Sequence, residues 1–191
     1  GRIIVQGKIH TRGTRKRADY ILYYKSNVPI AVIEAKDNKK PVGSGMQQAL
    51  DYAEILQIPF VFTSNGDSFV FHDKTKKSGE IEKEISLDEF PSPETLWNKY
   101  LKENELETPE AKLIIEQEYH SDDNGMTPRY YQSNAINRTL EAIAKGRDRL
   151  LLVMATGTGK TYTAFNIIWR YRKSHKNARI LFLADRNALL T

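Results

Sequence analysis

The chain contains no cysteine among its 191 residues, so it can form neither a disulfide nor a thiolate metal site. That absence fits a reducing cytosol. No apolar run is long enough to cross a bilayer. No signal peptide is legible, although the start Gly1-Arg2-Ile3-Ile4 reads as a chain already under way. Histidine is sparse: His10, His72, His120 and His175 stand apart, none with a partner at metal-ligand spacing. Acid is missing from residues 1–18, which carry Arg2, Lys8, Arg12, Arg15, Lys16 and Arg17. Base is scarce from Glu80 to Asp123, where fourteen carboxylates face four lysines. That balance of −10 leaves +15 for the rest of a chain totalling +5. Basic ends around an acidic middle suit a polyanionic partner for the ends; solvated charged faces would produce the same counts.

What is present is a folding composition, with 40% hydrophobic and 28% charged residues. At about 150 residues per domain the length suggests one or two domains. Ile3-Ile4-Val5, Tyr20-Ile21-Leu22-Tyr23-Tyr24 and Ile30 to Lys36 read as strands, the last apolar on both faces until Glu34 and therefore central. Between the first two, the basic run His10–Arg17 reads as a loop. Pro41–Gly45 is another loop. Met46, Ala49, Leu50, Ala53 and Leu56 then fall at helical spacing, and Ile58-Pro59 ends that helix. Phe60–Thr63 and Phe69–Phe71 flank Ser64-Asn65-Gly66-Asp67 as a hairpin. In the acidic stretch Ser92-Pro93 and Thr108-Pro109 each read as an N-cap with proline in the first turn. Ser121–Gly125 is a break. Thr127-Pro128 then opens a further helix, with Ile136, Leu140, Ile143 and Ala144 inward and Gly146 after it.

Leu150-Leu151-Leu152-Val153 reads as a strand leading into Met154-Ala155-Thr156-Gly157-Thr158-Gly159-Lys160-Thr161 and then a helix with Ala164, Ile167, Ile168 and Tyr171 inward. Strand, glycine-rich turn and helix together make an anion site, because turn N–H groups and the positive helix end point the same way. Lys160 can reach terminal phosphates, and the Thr161 hydroxyl can ligate Mg²⁺. Met154 occupies the place of the first glycine in G-x-x-x-x-G-K-[ST], so the general motif is imperfect. Ala155–Thr161 does resemble motif I of superfamily 2 helicases and translocases. Ile180–Ala184 reads as the next strand and Asp185-Arg186-Asn187 as its turn.

A second candidate site lies in the first unit. Asp19 opens one strand, while Glu34 and Lys36 close the next and share a face by the period of two. Adjacent strands would bring Asp19 beside Glu34, and two carboxylates there favour a hard divalent cation such as Mg²⁺. Lys36 could then orient water or stabilise charge at phosphorus. On spacing alone these residues also read as exposed strand-end charges.

The following helix adds Gln48-x-x-x-Tyr52. Asp19, Ile33-Glu34-Ala35-Lys36 and that pair resemble the PD-(D/E)xK nuclease core with its Q-x-x-x-Y addition. The combination resembles the motor (HsdR) subunit of type I restriction–modification enzymes. Gly7-Lys8 and Phe62–Asp67 look similar as well. Tyr130-Tyr131-Gln132 resembles the upstream element that reads adenine, and Ile180–Asn187 resembles motif Ia, near the DNA backbone. The resemblance implies a cytoplasmic prokaryotic protein in which ATP drives duplex DNA past a complex that cuts at a distance. Specificity (S) and methyltransferase (M) subunits would be separate partners, with no membrane partner. Asp19, Glu34, Lys36, Gln48 and Tyr52 would be the cleavage residues. Thr156, Gly157, Thr158, Gly159, Lys160, Thr161 and Gln132 would hold ATP, and Asp19, Glu34 and Thr161 would hold Mg²⁺.

The expected architecture is α/β. Residues 1–75 would form the PD-(D/E)xK nuclease domain, residues 76–125 an acidic connecting region with short helices, and residues 126–191 the start of a RecA-like doubly wound domain. The chain stops after the motif Ia resemblance and shows no second acid pair or arginine finger, so it is expected to bind nucleotide weakly and not hydrolyse it. A trimmed N-terminus would remove a further acid that this nuclease class often carries. Two alternatives share these features: another ATP-dependent nuclease or helicase, and a non-catalytic DNA-binding assembly module.

Overall fold

A computed structural model describes residues 3–5, 8–10, 15–120 and 127–183. The chain runs β1 (Ile3–Val5), β2 (Lys8–His10), β3 (Arg15–Arg17), β4 (Tyr20–Lys25), β5 (Val28–Ala35), α1 (Met46–Leu56), β6 (Phe60–Ser64), β7 (Ser68–Asp73), β8 (Glu82–Ser86), α2 (Pro93–Glu103), α3 (Pro109–Ile115), α4 (Tyr130–Ala144) and α5 (Lys160–Ser174). Six strands form one sheet in the order β1-β4-β5-β6-β7-β8. β5 and β6 are parallel and the other pairs antiparallel. A parallel pair cannot be closed by a tight turn, and α1 supplies the crossover.

Alternation along β5 and β6 divides two cores. On one face Val32 and Val61 meet Ala49, Ala53 and Met46 of α1. On the other, Phe60, Phe62 and Phe71 meet Leu96, Trp97 and Leu101 of α2. Burying Phe60 and Phe62 stabilises the fold by roughly 2–3 kcal/mol each. α1 ends where Gln57 turns left-handed at φ 57° and the Ile58 N–H bonds back to the Ala53 carbonyl at 2.8 Å. α2 and α3 start as expected, with the Ser92 and Thr108 hydroxyls accepting from Thr95 N and Ala111 N.

Several elements depart from the sequence reading. The basic run read as a loop contains a two-stranded pairing, β2 with β3. The acidic stretch contains β8, so the sheet continues past residue 75, where the first unit was expected to end. Glu82, Glu84 and Ser86 are exposed while Ile85 is buried, as suits an outer strand. α4 begins at Tyr130 rather than Thr127, because the Gln132 side chain accepts the Arg129 N–H at 2.9 Å and caps the helix there. α5 buries Thr163, Asn166 and Arg170, with Ile167 and Tyr171 beside them and Ala164 and Ile168 only half-buried.

Among the described residues, Leu150–Val153 and Ile180–Leu183 do not form the strands of a doubly wound sheet. Leu151 and Val153 are each 87% exposed, and Leu181 and Leu183 each 82%. A parallel strand needs flanking strands and covering helices, and the described residues provide neither for these two runs. Ala184–Asn187 and the Ser121–Gly125 break lie outside the described residues.

The last two helices do not form a separate body. Ile136 and Leu140 of α4 belong to the same core as Val28, Ile30 and Trp97. Asn134 donates to the Ile55 carbonyl at 2.9 Å, and Arg138 donates to Gln57 Oε1 at 2.8 and 3.1 Å. Arg170, 1% exposed, donates to Asn137 Oδ1 at 2.6 Å and the Ile115 carbonyl at 2.7 Å. Its burial pulls the guanidinium pKa down to about 10. No helix of the described residues is long and apolar enough to cross a membrane.

Candidate nuclease and nucleotide sites

The first site forms at the end of the parallel pair, where the start of α1 passes over the sheet. The register that sets Tyr20 opposite Ile33 carries Asp19 to the end of β5, and Asp19 Oδ2 accepts the Ala35 N–H at 2.9 Å. Glu34 continues the α1-facing side of β5 and is 2% exposed. Lys36 donates to Glu34 Oε1 at 2.7 Å and to Gln48 Oε1 at 3.2 Å. Gln48 in turn donates to the Tyr52 hydroxyl at 2.8 Å, one helical turn on. Asp19, Glu34, Lys36, Gln48 and Tyr52 are thus brought together. Tyr52 is itself buried among the residues between α1 and the sheet.

Glu34 is buried rather than a solvated strand-end charge. Burial raises its carboxyl above the ordinary carboxylate range; the Asp19 charge pushes the same way, while Lys36 and the Asp19 backbone N–H oppose. Its second oxygen, Oε2, has no hydrogen-bond partner. A buried carboxylate oxygen without a partner, close to a second carboxylate, has the chemistry of a hard-cation ligand. Among the described residues no three His, Cys, Asp or Glu side chains cluster, so the protein offers a carboxylate pair.

Two contributors at this site escaped the sequence reading. A Cβ on Gly45 would stand 2.9 Å from Glu34 Cγ and 3.0 Å from Lys36 Cε. Only the absence of a side chain lets the loop lie against the acid–lysine pair. The glycine in a loop just before a helix was the available signal. The other is Thr63, register partner of Glu34 across β5 and β6 and 0% exposed, whose hydroxyl has no partner. Its signal was a lone hydroxyl closing the apolar run Phe60-Val61-Phe62.

The second site is the turn before α5. Gly157 and Gly159 take φ values of 79° and 83°, which side chains rarely adopt. Lys160 folds over the turn, its Nζ 3.4 and 3.3 Å from the Met154 and Ala155 carbonyls, and the Thr158 hydroxyl donates to the Ala155 carbonyl at 2.7 Å. The first N–H groups of α5 have no partner within the helix. Thr156 and Thr161 are exposed at the turn. Gln132 reaches across from α4 and donates to the Thr158 carbonyl at 2.9 Å, so its amide already bridges the α4 start and the turn. A small cleft of about 50 Å³ lined by Pro29, Gln57, Tyr100, Asn134, Arg138 and Arg170 lies between the sheet unit and α4, away from both sites.

Residues 1–91 match the family described as type I restriction enzyme R protein N terminus, and residues 125–191 match the type III restriction enzyme, res subunit. Over 192 residues the chain is 55% identical to the type I restriction enzyme EcoAI endonuclease subunit of Escherichia coli, covering 100% of this chain and 24% of that protein. It is 30% identical over 232 residues to the EcoKI endonuclease subunit of Escherichia coli strain K12, covering 96% of this chain and 19% of that protein. A solved structure described as a fragment of an HsdR subunit of a type I restriction enzyme from Vibrio vulnificus YJ016 superposes with a TM-score of 0.76 at 41% identity. That superposition covers 91% of this chain and 32% of the other. The chain therefore spans about a quarter or less of the curated relatives it matches. With the family match over the sheet unit, the 55% identity and the superposition in agreement, the chain belongs to the R-protein family of type I restriction enzymes and carries its N-terminal region.

Proposed function

We propose that this chain carries the Mg²⁺-dependent nuclease module and the opening of the ATP-driven motor of a type I restriction endonuclease subunit, acting on duplex DNA. The observation that carries the reading is the buried Glu34 with one oxygen on Lys36 and the other without a partner, beside Asp19. In this reading the sheet unit through β8 is a PD-(D/E)xK nuclease and residues from about 126 onward begin a RecA-like domain. The names of the relatives support an endonuclease subunit of a bacterial type I restriction enzyme; S and M subunits as partners and a cytoplasmic setting belong to the same proposal.

Asp19 and Glu34 would hold the cation, which supplies positive charge against the phosphate and acidifies nearby water. Lys36 has three N–H donors; two serve Glu34 and Gln48, and the third can orient a water or meet a phosphate oxygen. Gln48, backed by the Tyr52 hydroxyl, fixes the Lys36 side chain in that direction. At the second site the turn from Thr156 to Thr161 would cradle the phosphates of ATP. Lys160 would exchange its carbonyl partners for phosphate oxygens, Thr161 would bind Mg²⁺ and Gln132 would meet the base.

The test is Mg²⁺-dependent nicking of circular duplex DNA by the intact subunit and its Lys36→Ala variant. A loss of at least about a hundredfold with the fold retained is expected. Equal nicking by both proteins would reject the site. Translocation that persists in Lys160→Ala would reject the nucleotide assignment.

A further inference from the structure

Thr63 is an unusual choice for its place. It lies on β6 after Phe60-Val61-Phe62, on the face that Val61 shares with α1, and it is fully buried. Valine would fill the same volume without a polar atom. A buried hydroxyl with no partner costs about 1–3 kcal/mol, and Thr63 Oγ1 has none. Directly across the parallel register is Glu34, whose Oε2 is also buried and without a partner. Paired residues on neighbouring strands point to the same side of the sheet. Two buried polar atoms, each without a hydrogen-bond partner, therefore face the same side of the sheet on neighbouring strands. The terminal torsion of glutamate is soft, so a small rotation of the carboxylate costs little.

Resting on the nuclease reading above, we propose that Thr63 is a positioning residue of the cleavage site, its hydroxyl donating to the Glu34 carboxylate and presenting the Oε2 side to the divalent cation. Lys36 steers one oxygen and Thr63 the other, so the carboxylate is held from both ends. The stability lost to the unpaired hydroxyl in the cation-free protein is recovered when the cation draws the carboxylate into place. Groups that orient a metal ligand typically change metal affinity by about 10- to 100-fold when removed.

The proposal separates function from stability, which an ordinary core threonine would not do. Thr63→Val, Thr63→Ser and Asp19→Asn are compared with the parent chain by thermal unfolding with and without Mn²⁺, and in the intact subunit by DNA nicking. Thr63→Val should unfold about 2–4 °C higher without metal, yet need roughly tenfold more Mn²⁺ for the same stabilisation. Thr63→Ser should recover most of the Mn²⁺ response and of the nicking lost in the valine variant. A lower unfolding temperature for Thr63→Val would mean that the hydroxyl has a structural partner, and would overturn the proposal. An unchanged Mn²⁺ response in Thr63→Val, with the response lost in Asp19→Asn, would overturn it while leaving the cation site standing. An unchanged response in both variants would reject the cation site, and the role of Thr63 with it.

Discussion

Lys36 Nζ lies 2.7 Å from Glu34 Oε1, yet burial still holds the Glu34 carboxyl above the ordinary carboxylate range. The lysine does not fully offset the loss of water around the acid. An unfolded glutamate titrates near 4.5, and the folded one higher. Between those points the folded chain keeps a proton that the unfolded chain has released, so stability falls as pH rises through that window. Glu34→Gln removes the effect. At neutral pH the glutamine variant should be the more stable of the two, with the advantage vanishing toward pH 4. Urea unfolding at stepped pH measures this; parallel curves for the two proteins would show that Glu34 titrates normally.

Gly45 adopts φ −97° and ψ −1°, a conformation open to alanine, so Gly45→Ala probes space alone. Its new methyl would press on Glu34 Cγ at 2.9 Å and Lys36 Cε at 3.0 Å. The expected cost is about 1–2 kcal/mol of stability with at least tenfold slower nicking, because the acid and lysine must move apart. Gly43→Ala is the control, since a Cβ there meets only Val70 Cγ2 at 4.0 Å. Similar nicking rates for the two variants would refute the argument.

Gly159→Ala and Gly157→Ala separate backbone strain from collision. Both glycines have positive φ, and alanine at either costs roughly 1 kcal/mol. A Cβ on Gly159 would also run into the Gln132 side-chain amide, whereas one on Gly157 meets nothing within 4 Å. Binding of a fluorescent ATP analogue should weaken at least tenfold more in Gly159→Ala than in Gly157→Ala. Equal losses would show that strain alone governs the turn.

Asp73 and Lys99 tie the sheet to α2 at 2.7 Å, with Asp73 1% exposed. Burial opposes ionisation of Asp73, but Lys99 and the Thr75 hydroxyl and N–H together hold its carboxyl below the ordinary range. Such a group stabilises the fold above its unfolded pKa, and the contribution is lost as pH falls through the folded value. Lys99→Met should cost about 2 kcal/mol at neutral pH, less than a fully buried pair because the lysine is partly exposed. The difference from the parent chain should shrink in acid. A cost that stays constant from pH 7 to pH 2 would assign it to packing.

Much of this protein follows from its sequence by short-range rules. The helices α1, α2 and α3, the β6–β7 hairpin and the glycine turn before α5 rest on caps, turn residues and periodicities that act within a few residues. The spacing of Glu34 and Lys36, and of Gln48 and Tyr52, is equally local. It places each pair on one face whatever else the chain does.

Only the tertiary structure decided the features that depend on distant partners. β8 reads as a charged linker until β7 pairs with it, with Glu82 meeting His72. Leu150–Val153 has every local mark of a strand but pairs with no described strand. Arg170 is buried on α5, where Ile115 and Asn137, distant in sequence, take its guanidinium. The candidate cleavage site depends on such partners as well. Burial of Glu34, the clearance at Gly45 and the unpaired hydroxyl of Thr63 come from packing β5, β6 and the start of α1 together. Local sequence sets which residues share a face, while long-range packing sets the desolvation that each of them meets.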